Sequence, residues 1–552
     1  MSTPLCAGLC TSLQKIFPDT APAFFEPLCF SMLQNERKSF QLAVQAKKGD
    51  AVELALSGPL AGFVRASCVR LVPAGLTAPK WADSFYLDKK RKAYPDLLLP
   101  LDGDAFAAEF DGWNAVWFEL SGELPAGRHT LTVTVRANGA ETDLQANIEV
   151  LPVKLPQQTL IYTNWFHTDC LMRYYNTEAF SEDYWRITEA FLKTACDYGM
   201  NCVLTPLFTP PLDTKVGGER PTVQLVDVTV TGKDSYAFGF EKLEKWVEMA
   251  KRCGVRYFEM SHFFTQWGAK HAPKIMAEKD GETVKLFGWE TKASGKEYMR
   301  FLRALAPALI EEIDRLGIRD RCLFHVSDEP NRSMTRSYKK AAKPVHELFG
   351  DFKIVDALSE YKLYAKGLIE TPIPANDHVQ KFIGRVPELW TYYCCSQAAH
   401  NVSNRFFAMP SMRNRVLGLQ LYKFGVKGFL HWGYNFYFSQ YSIREIDPFA
   451  VTDAGGAFSS GDSFVVYPGK DGTPLLSLRL PVFMDGLQDM RALQLLESLA
   501  GREKALAVLE EGLTKPLTFR DYPHEDEWLL DVRERVNRAI SEYAGKAAKE
   551  EG

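Results

Sequence analysis

No run of about 18 apolar residues occurs anywhere in the 552-residue chain, so no membrane-spanning helix is expected. Long blocks of like charge are missing too. The formal net charge is −4 and the basic residues are scattered, which leaves no electrostatic footprint for nucleic acid. There is no Gly-x-x-x-x-Gly-Lys-Ser/Thr phosphate loop, no glycine-rich dinucleotide turn behind a strand and no His-Glu-x-x-His helix. The start, Met1-Ser2-Thr3-Pro4-Leu5-Cys6, has no basic region followed by an apolar segment. No signal peptide is therefore expected, and the chain reads as cytoplasmic. The eleven cysteines are an odd number, mostly inside apolar runs such as Asn201-Cys202-Val203-Leu204. They read as reduced, buried thiols. Cys6 and Cys10 have no second ligand pair nearby, and Cys394-Cys395 are too close for the usual metal clamp. His167 and Asp169 could begin a metal site, but no third ligand is indicated. No metal and no cofactor are expected.

What is present is ordinary in bulk and unusual in arrangement. Hydrophobic residues make up 46% and charged residues 24%, enough for large cores, and the length implies two or three domains. Up to about residue 155 short alternating runs dominate, at 39–44, 51–56 and 130–135, punctuated by turn formers such as Lys48-Gly49-Asp50. Period-two alternation with frequent turns predicts an antiparallel β-sandwich. After the stiff segment Leu151-Pro152-Val153-Lys154-Leu155-Pro156 the rhythm becomes strand, loop, helix. Candidate strands lie at 161–166, 202–205, 256–261, 322–327, 353–358, 370–373, 389–394 and 428–432, with helical patterns between several of them at 183–198, 240–253 and 296–316. The expected architecture is α/β: a (β/α)8-type barrel over 156–460, preceded by an N-terminal antiparallel β-sandwich over 1–155. A C-terminal β-pair and helical segment would follow over 461–552, the pair at 463–467 and 476–480.

In such a barrel the C-terminal strand ends present the pocket. The fourth ends in Ser327-Asp328-Glu329-Pro330, two adjacent carboxylates whose repulsion should raise at least one pKa. They could simply favour a helix N-terminus, with Pro330 at its first position. The other strand ends shift the balance. They carry His167 and Asp169, His262 with Trp267-Gly268, Ser359-Glu360-Tyr361, Tyr392-Tyr393, and His431-Trp432-Gly433-Tyr434-Asn435. Aromatic platforms mixed with hydrogen-bonding groups suit a sugar ring, which has apolar faces and a hydroxyl rim. An ordinary retaining barrel glycosidase needs a second carboxylate roughly 5 Å from its acid. The seventh strand, Trp390-Thr391-Tyr392-Tyr393, and the eighth, ending His431-Trp432-Gly433, offer none. That absence suits substrate-assisted catalysis, in which the 2-acetamido group of the sugar attacks its own anomeric carbon.

With His167-Thr168-Asp169, His262, Trp267-Gly268, the acidic pair and Gly428-Phe429-Leu430-His431-Trp432-Gly433-Tyr434-Asn435 in this order, the chain resembles glycoside hydrolase family 123. So do Gly461-Asp462, Tyr467-Pro468-Gly469 and Ser477-Leu478-Arg479, and the likeness spans roughly 155–495. The resemblance implies β-N-acetylgalactosaminidase activity, with Asp328 stabilising the acetamido group and Glu329 as acid/base. His167, Asp169, His262, Trp267, Tyr361, Tyr392, His431, Trp432, Tyr434 and Asn435 are then candidates for substrate binding. One departure is that Pro481 stands where many relatives carry an acid two positions after the arginine. The expected partner is a glycan or oligosaccharide, with neither nucleic acid nor membrane. Two readings stay open beside this one. A glycosidase of other specificity could use a distant carboxylate such as Glu360 or Asp377, and a carbohydrate-binding protein could keep the barrel without turnover.

Overall fold

The structure is a computed structural model that describes residues 5–550. Eight short parallel strands form one sheet: β1 (Ile161–Asn164), β2 (Cys202–Thr205), β3 (Tyr257–Met260), β4 (Cys322–Phe324), β5 (Lys353–Ala357), β6 (Thr371–Ile373), β7 (Trp390–Tyr392) and β8 (Gly428–His431). Their order is β6-β5-β4-β3-β2-β1-β8-β7. A parallel bridge between Ala375 and Tyr392 joins the two ends and closes the ring. Gly428 opens β8 because a Cβ there would sit 2.1 Å from the Trp390 ring on β7.

The helices follow from spacing and caps. Glu182–Asp197 buries Tyr184, Ile187, Thr188, Phe191 and Ala195, one face of a 3.6-residue repeat. Its N-cap Ser181 accepts from the Tyr184 amide at 3.2 Å. Glu241–Cys253 ends on Gly254 at φ 109°, the left-handed cap that glycine takes without strain.

Two sheets stack ahead of the barrel. One has five strands, ordered Leu28–Gln34, Ala140–Lys154, Gly127–Ala137, Ala51–Ser57, Ala105–Ala107. The other has seven, and only five of those come from the N-terminal segment. The expected sandwich is thus present, with one correction: Leu28–Gln34 runs parallel to Ala140–Lys154, and the other pairings are antiparallel. The predicted C-terminal β-pair forms at Val466–Pro468 and Pro474–Ser477, and it completes the seven-stranded sheet by pairing with Ala93–Pro100. Residues 478–480, expected as strand, instead turn into the helix Arg479–Ala500.

Buried charge ties these parts together. Arg479 holds Asp96 of the sandwich through Nε at 2.6 Å and Nη2 at 2.9 Å. Arg533, on the last helix, reaches both Glu36 and Asp489, and Arg415 holds the other side of Asp489 at 2.7 Å. Pro481 lies in the first turn of Arg479–Ala500, where its missing N–H leaves no helix bond unmade.

One element was not legible from the sequence. A four-stranded sheet, built from 227–239 and 275–287, is inserted after β2 and β3. The long segment 206–226 connects β2 to it.

Candidate active site

Seven of the eight strand ends open into one cavity of about 230 Å³. Its lining includes Trp165 after β1, Asp213 after β2, Gln266 and Trp267 after β3, and Asp328 and Glu329 after β4. Tyr392, Cys394 and Cys395 come from β7, and Trp432, Gln440 and Tyr441 from β8 and the loop beyond it. The volume is small beside the roughly 300–1,000 Å³ of drug-sized sites, and on the scale of a single sugar unit.

The acidic pair is not a helix cap. After Pro330, Asn331 caps a short 3₁₀ turn, Arg332–Met334, by accepting from the Ser333 amide, and the helix begins only at Thr335. The carboxylates precede that helix and face the cavity instead. Glu329 has φ 43°, a left-handed backbone that a glutamate adopts only under constraint. The Tyr392 hydroxyl donates to Glu329 Oε1 at 2.5 Å. Burial, and then the charge of Glu329, push the Asp328 carboxyl well above the usual carboxylate range. The two acids therefore occupy different environments, the condition for giving them different tasks.

Beneath the pair lies a buried charge relay. His325 places Nε2 2.6 Å from Glu259 Oε1 and Nδ1 3.0 Å from Asp356 Oδ1. Both ring nitrogens face carboxylate oxygens, so the ring is an imidazolium donating in both directions. Burial alone would lower its pKa. The hydrogen bonds to Asp356 and Glu259 outweigh that and lift it to about 10. Asp356 also accepts from the Val326 and Ser327 amides and from the Tyr338 hydroxyl, which fixes the end of β4. Glu259 accepts the Trp165 indole N–H at 2.8 Å and the Thr163 hydroxyl at 2.5 Å. One cation thus joins the acidic loop to an aromatic wall of the cavity. His262 stacks on His325 with ring centroids 4.2 Å apart, its ring edge-on to Trp165. Lone pairs lie in ring planes, so stacked imidazoles do not converge on one ion, and both nitrogens of His325 are already taken. His262, His325 and Asp356 are close together but do not make a metal site.

The remaining candidates divide into lining residues and supports. His167 lines the cavity and is neutral. Burial and Arg220 hold it down at about 3, Nε2–H donates to the Trp432 carbonyl at 2.8 Å, and Nδ1 accepts from Arg220 at 3.1 Å. Asp169 is buried in a two-pronged pair with Arg220, 2.7 Å at each oxygen, and does not reach the cavity. Asn435 grips the His167 backbone at both N and O. His431 lies behind Trp432. It accepts from Arg405 at 2.7 Å and shares Asp462, which also holds the Trp432 indole at 3.0 Å. Burial pushes Asp462 up to about 7. Tyr434 does not line the cavity: it is fully buried, stacked on Phe166, with its hydroxyl on the Phe191 carbonyl. Tyr361 packs on Phe382, also away from the lining. Of the two distant carboxylates, Glu360 pairs with Arg332 at 2.7 Å and Asp377 with His378 at 2.7 Å, and neither lines the cavity.

A family model, Glycoside hydrolase 123, catalytic domain, matches residues 165–496. The chain belongs to glycoside hydrolase family 123. Its fold is that of a family 123 glycoside hydrolase from Clostridium perfringens, solved to give the details of glycolipid glycan hydrolysis. The two share 12% identity, with a TM-score of 0.75 over 99% of each chain. A β-glucuronidase from Parabacteroides merdae matches at 10% identity over 89% of this chain and 51% of its own, with a TM-score of only 0.29. No match was found among curated proteins. As a family 123 member the chain is a glycoside hydrolase, and the cavity at the β-strand ends falls within the matched catalytic region. No described helix is long and apolar enough to cross a membrane.

Sequence reasoning missed four groups here: Asp213, Gln266, Arg220 and the pair Glu259–His325. The first three sit on loops without a motif. His325 and Glu259 stood in plain view inside apolar strands, where charged residues are seldom left unpaired. That was the available signal.

Proposed function

We propose that this family 123 enzyme removes a terminal β-linked N-acetylhexosamine, preferably N-acetylgalactosamine, by substrate-assisted retention. The observation behind this reading is the adjacent pair Asp328 and Glu329 at one strand end, in different environments, with no carboxylate on β7 or β8 beside the cavity. In this scheme the sugar's acetamido oxygen attacks the anomeric carbon and forms an oxazoline-like ring. Asp328 accepts the acetamido N–H and offsets the positive charge that develops there. Glu329 gives its proton to the departing glycosidic oxygen, then takes one from the water that reopens the ring.

The upward push on Asp328 fits this division once substrate arrives. An N–H donor placed on Asp328 favours its ionised form, which is the form that offsets the positive charge developing on the acetamido group. Trp165, Trp267 and Trp432 supply flat apolar faces for the ring. The reading predicts rapid hydrolysis of aryl β-N-acetylgalactosaminide and little hydrolysis of the matching β-galactoside. Equal rates on the two would remove the substrate-assisted step.

A further inference from the structure

A third carboxylate faces the acidic pair, and nothing above gives it a task. Asp213 lines the cavity with Asp328 and Glu329 from the loop after β2. Its backbone is held at φ 38°. The Tyr441 amide donates to its Oδ2 at 3.1 Å, the Ser442 hydroxyl to its carbonyl at 2.7 Å, and the Lys215 amide to the Tyr441 carbonyl at 2.9 Å. The loops after the two strands that flank β1 are thus clasped at the mouth, with Asp213 on the inside. Arg220, the nearest cation acting on it, is committed to Asp169, His167 and the Leu212 carbonyl. Among the described residues no cation is paired with Asp213.

The neighbouring lining residue has the same need. Gln266 is 5% exposed. Its amide N–H donates to the Thr214 carbonyl at 3.0 Å, next to Asp213, which fixes the orientation of the amide. Its Oε1 is buried with no hydrogen-bond partner. A buried acceptor left unmade costs free energy that a bound donor would recover. Two acceptors short of donors on one side of the cavity call for a ligand rich in hydroxyl groups.

We propose that Asp213 and Gln266 form an acceptor pair that takes hydrogen bonds from ring hydroxyls of the terminal sugar, and that this pair sets which hexosamine epimer the site accepts. The proposal rests on the reading of the previous section for the kind of sugar, and on Asp213 and Gln266 for the recognition. Asp213 is a recognition residue in this scheme and takes no part in bond breaking.

The test uses the full chain, Asp213→Asn and Gln266→Met. Each is assayed on aryl β-N-acetylgalactosaminide, its 3-, 4- and 6-deoxy forms and the β-N-acetylglucosaminide epimer. Binding of the free sugars N-acetylgalactosamine and its deoxy forms is followed in parallel by calorimetry. Loss of a hydrogen bond to a charged acceptor predicts a roughly 10- to 100-fold fall in kcat/KM or affinity for the parent sugar with Asp213→Asn. For one deoxy form that fall should vanish, because the hydroxyl is already gone. The galacto-to-gluco preference should narrow with it. A uniform loss on every analogue, no loss on any, or no binding of any of these sugars by the unaltered chain would overturn the proposal. Binding is read without turnover, so the two readings fail separately. Selective loss in a chain that hydrolyses galactoside and acetamido sugar alike would sink the substrate-assisted reading alone. Acetamido-dependent hydrolysis without selectivity among the deoxy forms would sink the acceptor pair alone.

Discussion

Replacing His325 with glutamine removes the cation between Glu259 and Asp356 while keeping a polar side chain of similar reach. All three groups are almost wholly buried, at 1%, 1% and 0% side-chain exposure, so solvent screens them little. A rise of the imidazole from 6.5 to about 10 on folding corresponds to ~5 kcal/mol at about 1.36 kcal/mol per pKa unit. Protonation of Asp356, whose carboxyl burial already pushes up, would return part of this in the variant, so a loss of about 3–5 kcal/mol is expected, the range for breaking a buried pair.

The pH dependence follows from the direction of the shift. A base whose pKa is raised by folding gives its full stabilisation below the unfolded value, here 6.5, and loses it as pH rises through about 10. The stability gap between unaltered chain and His325→Gln should therefore be widest near pH 6 and close steadily toward pH 10. Equilibrium urea unfolding at pH 6, 7.5 and 9, read by tryptophan fluorescence, measures it, and Trp165 sits in the network itself. A gap that stays constant across this range would refute the charged bridge. So would a variant as stable as the parent.

Other outcomes can be stated more briefly. Glu329→Gln should lower kcat by roughly 10²–10⁴, the usual worth of general acid–base catalysis, and Asp328→Asn should lose a similar amount, both read with the aryl acetamido glycoside. Tyr392→Phe removes the 2.5 Å hydrogen bond to Glu329 and should cost about 10-fold in kcat/KM with the melting temperature little changed. Asp96→Ala leaves the Arg479 guanidinium buried without its partner and should destabilise the junction of sandwich and barrel by about 3–5 kcal/mol in urea unfolding, with activity retained under native conditions.

The architecture was largely written in periodicity. All eight barrel strands overlap the apolar runs that suggested them, because parallel strands buried on both faces leave continuous hydrophobic segments. The helices 182–197, 241–253 and 296–315 begin and end within a residue of their expected bounds for a like reason: serine and glycine caps and an amphipathic repeat are local signals. The departures are non-local. Leu28–Gln34 pairs in parallel with a strand more than a hundred residues away, and the pair 466–468 and 474–477 adds to a sheet begun at the other end of the chain. Neither partner choice leaves a trace in alternation.

The site was legible in the same uneven way. Trp432 and Asn435 belong to one short motif, yet Trp432 lines the cavity while Asn435 braces His167 from behind, and Tyr434 between them points into the core. These residues follow the end of β8 at His431, where irregular backbone no longer holds successive side chains to one face, so a motif that reads as one cluster is dealt out to different layers.

Four residues around the cavity, Asp213, Trp267, Glu329 and Tyr441, share the left-handed backbone, although none is glycine. Each such conformation costs about 1–3 kcal/mol and persists only where its surroundings over-determine it. Those surroundings are identifiable. Asp213 and Tyr441 clasp each other, the Trp267 amide donates to the Asp328 carbonyl at 3.2 Å, and Glu329 follows the Val326–Ser327 segment that Asp356 holds from below. A simple helix cap would need none of this, since capping acids sit in relaxed backbone and face their own helix. The acidic pair is instead strained, turned toward a cavity and pinned by a network around a buried cation, His325, three residues before Asp328. That investment is what a site must make to keep two carboxylates apart in environment though adjacent in sequence.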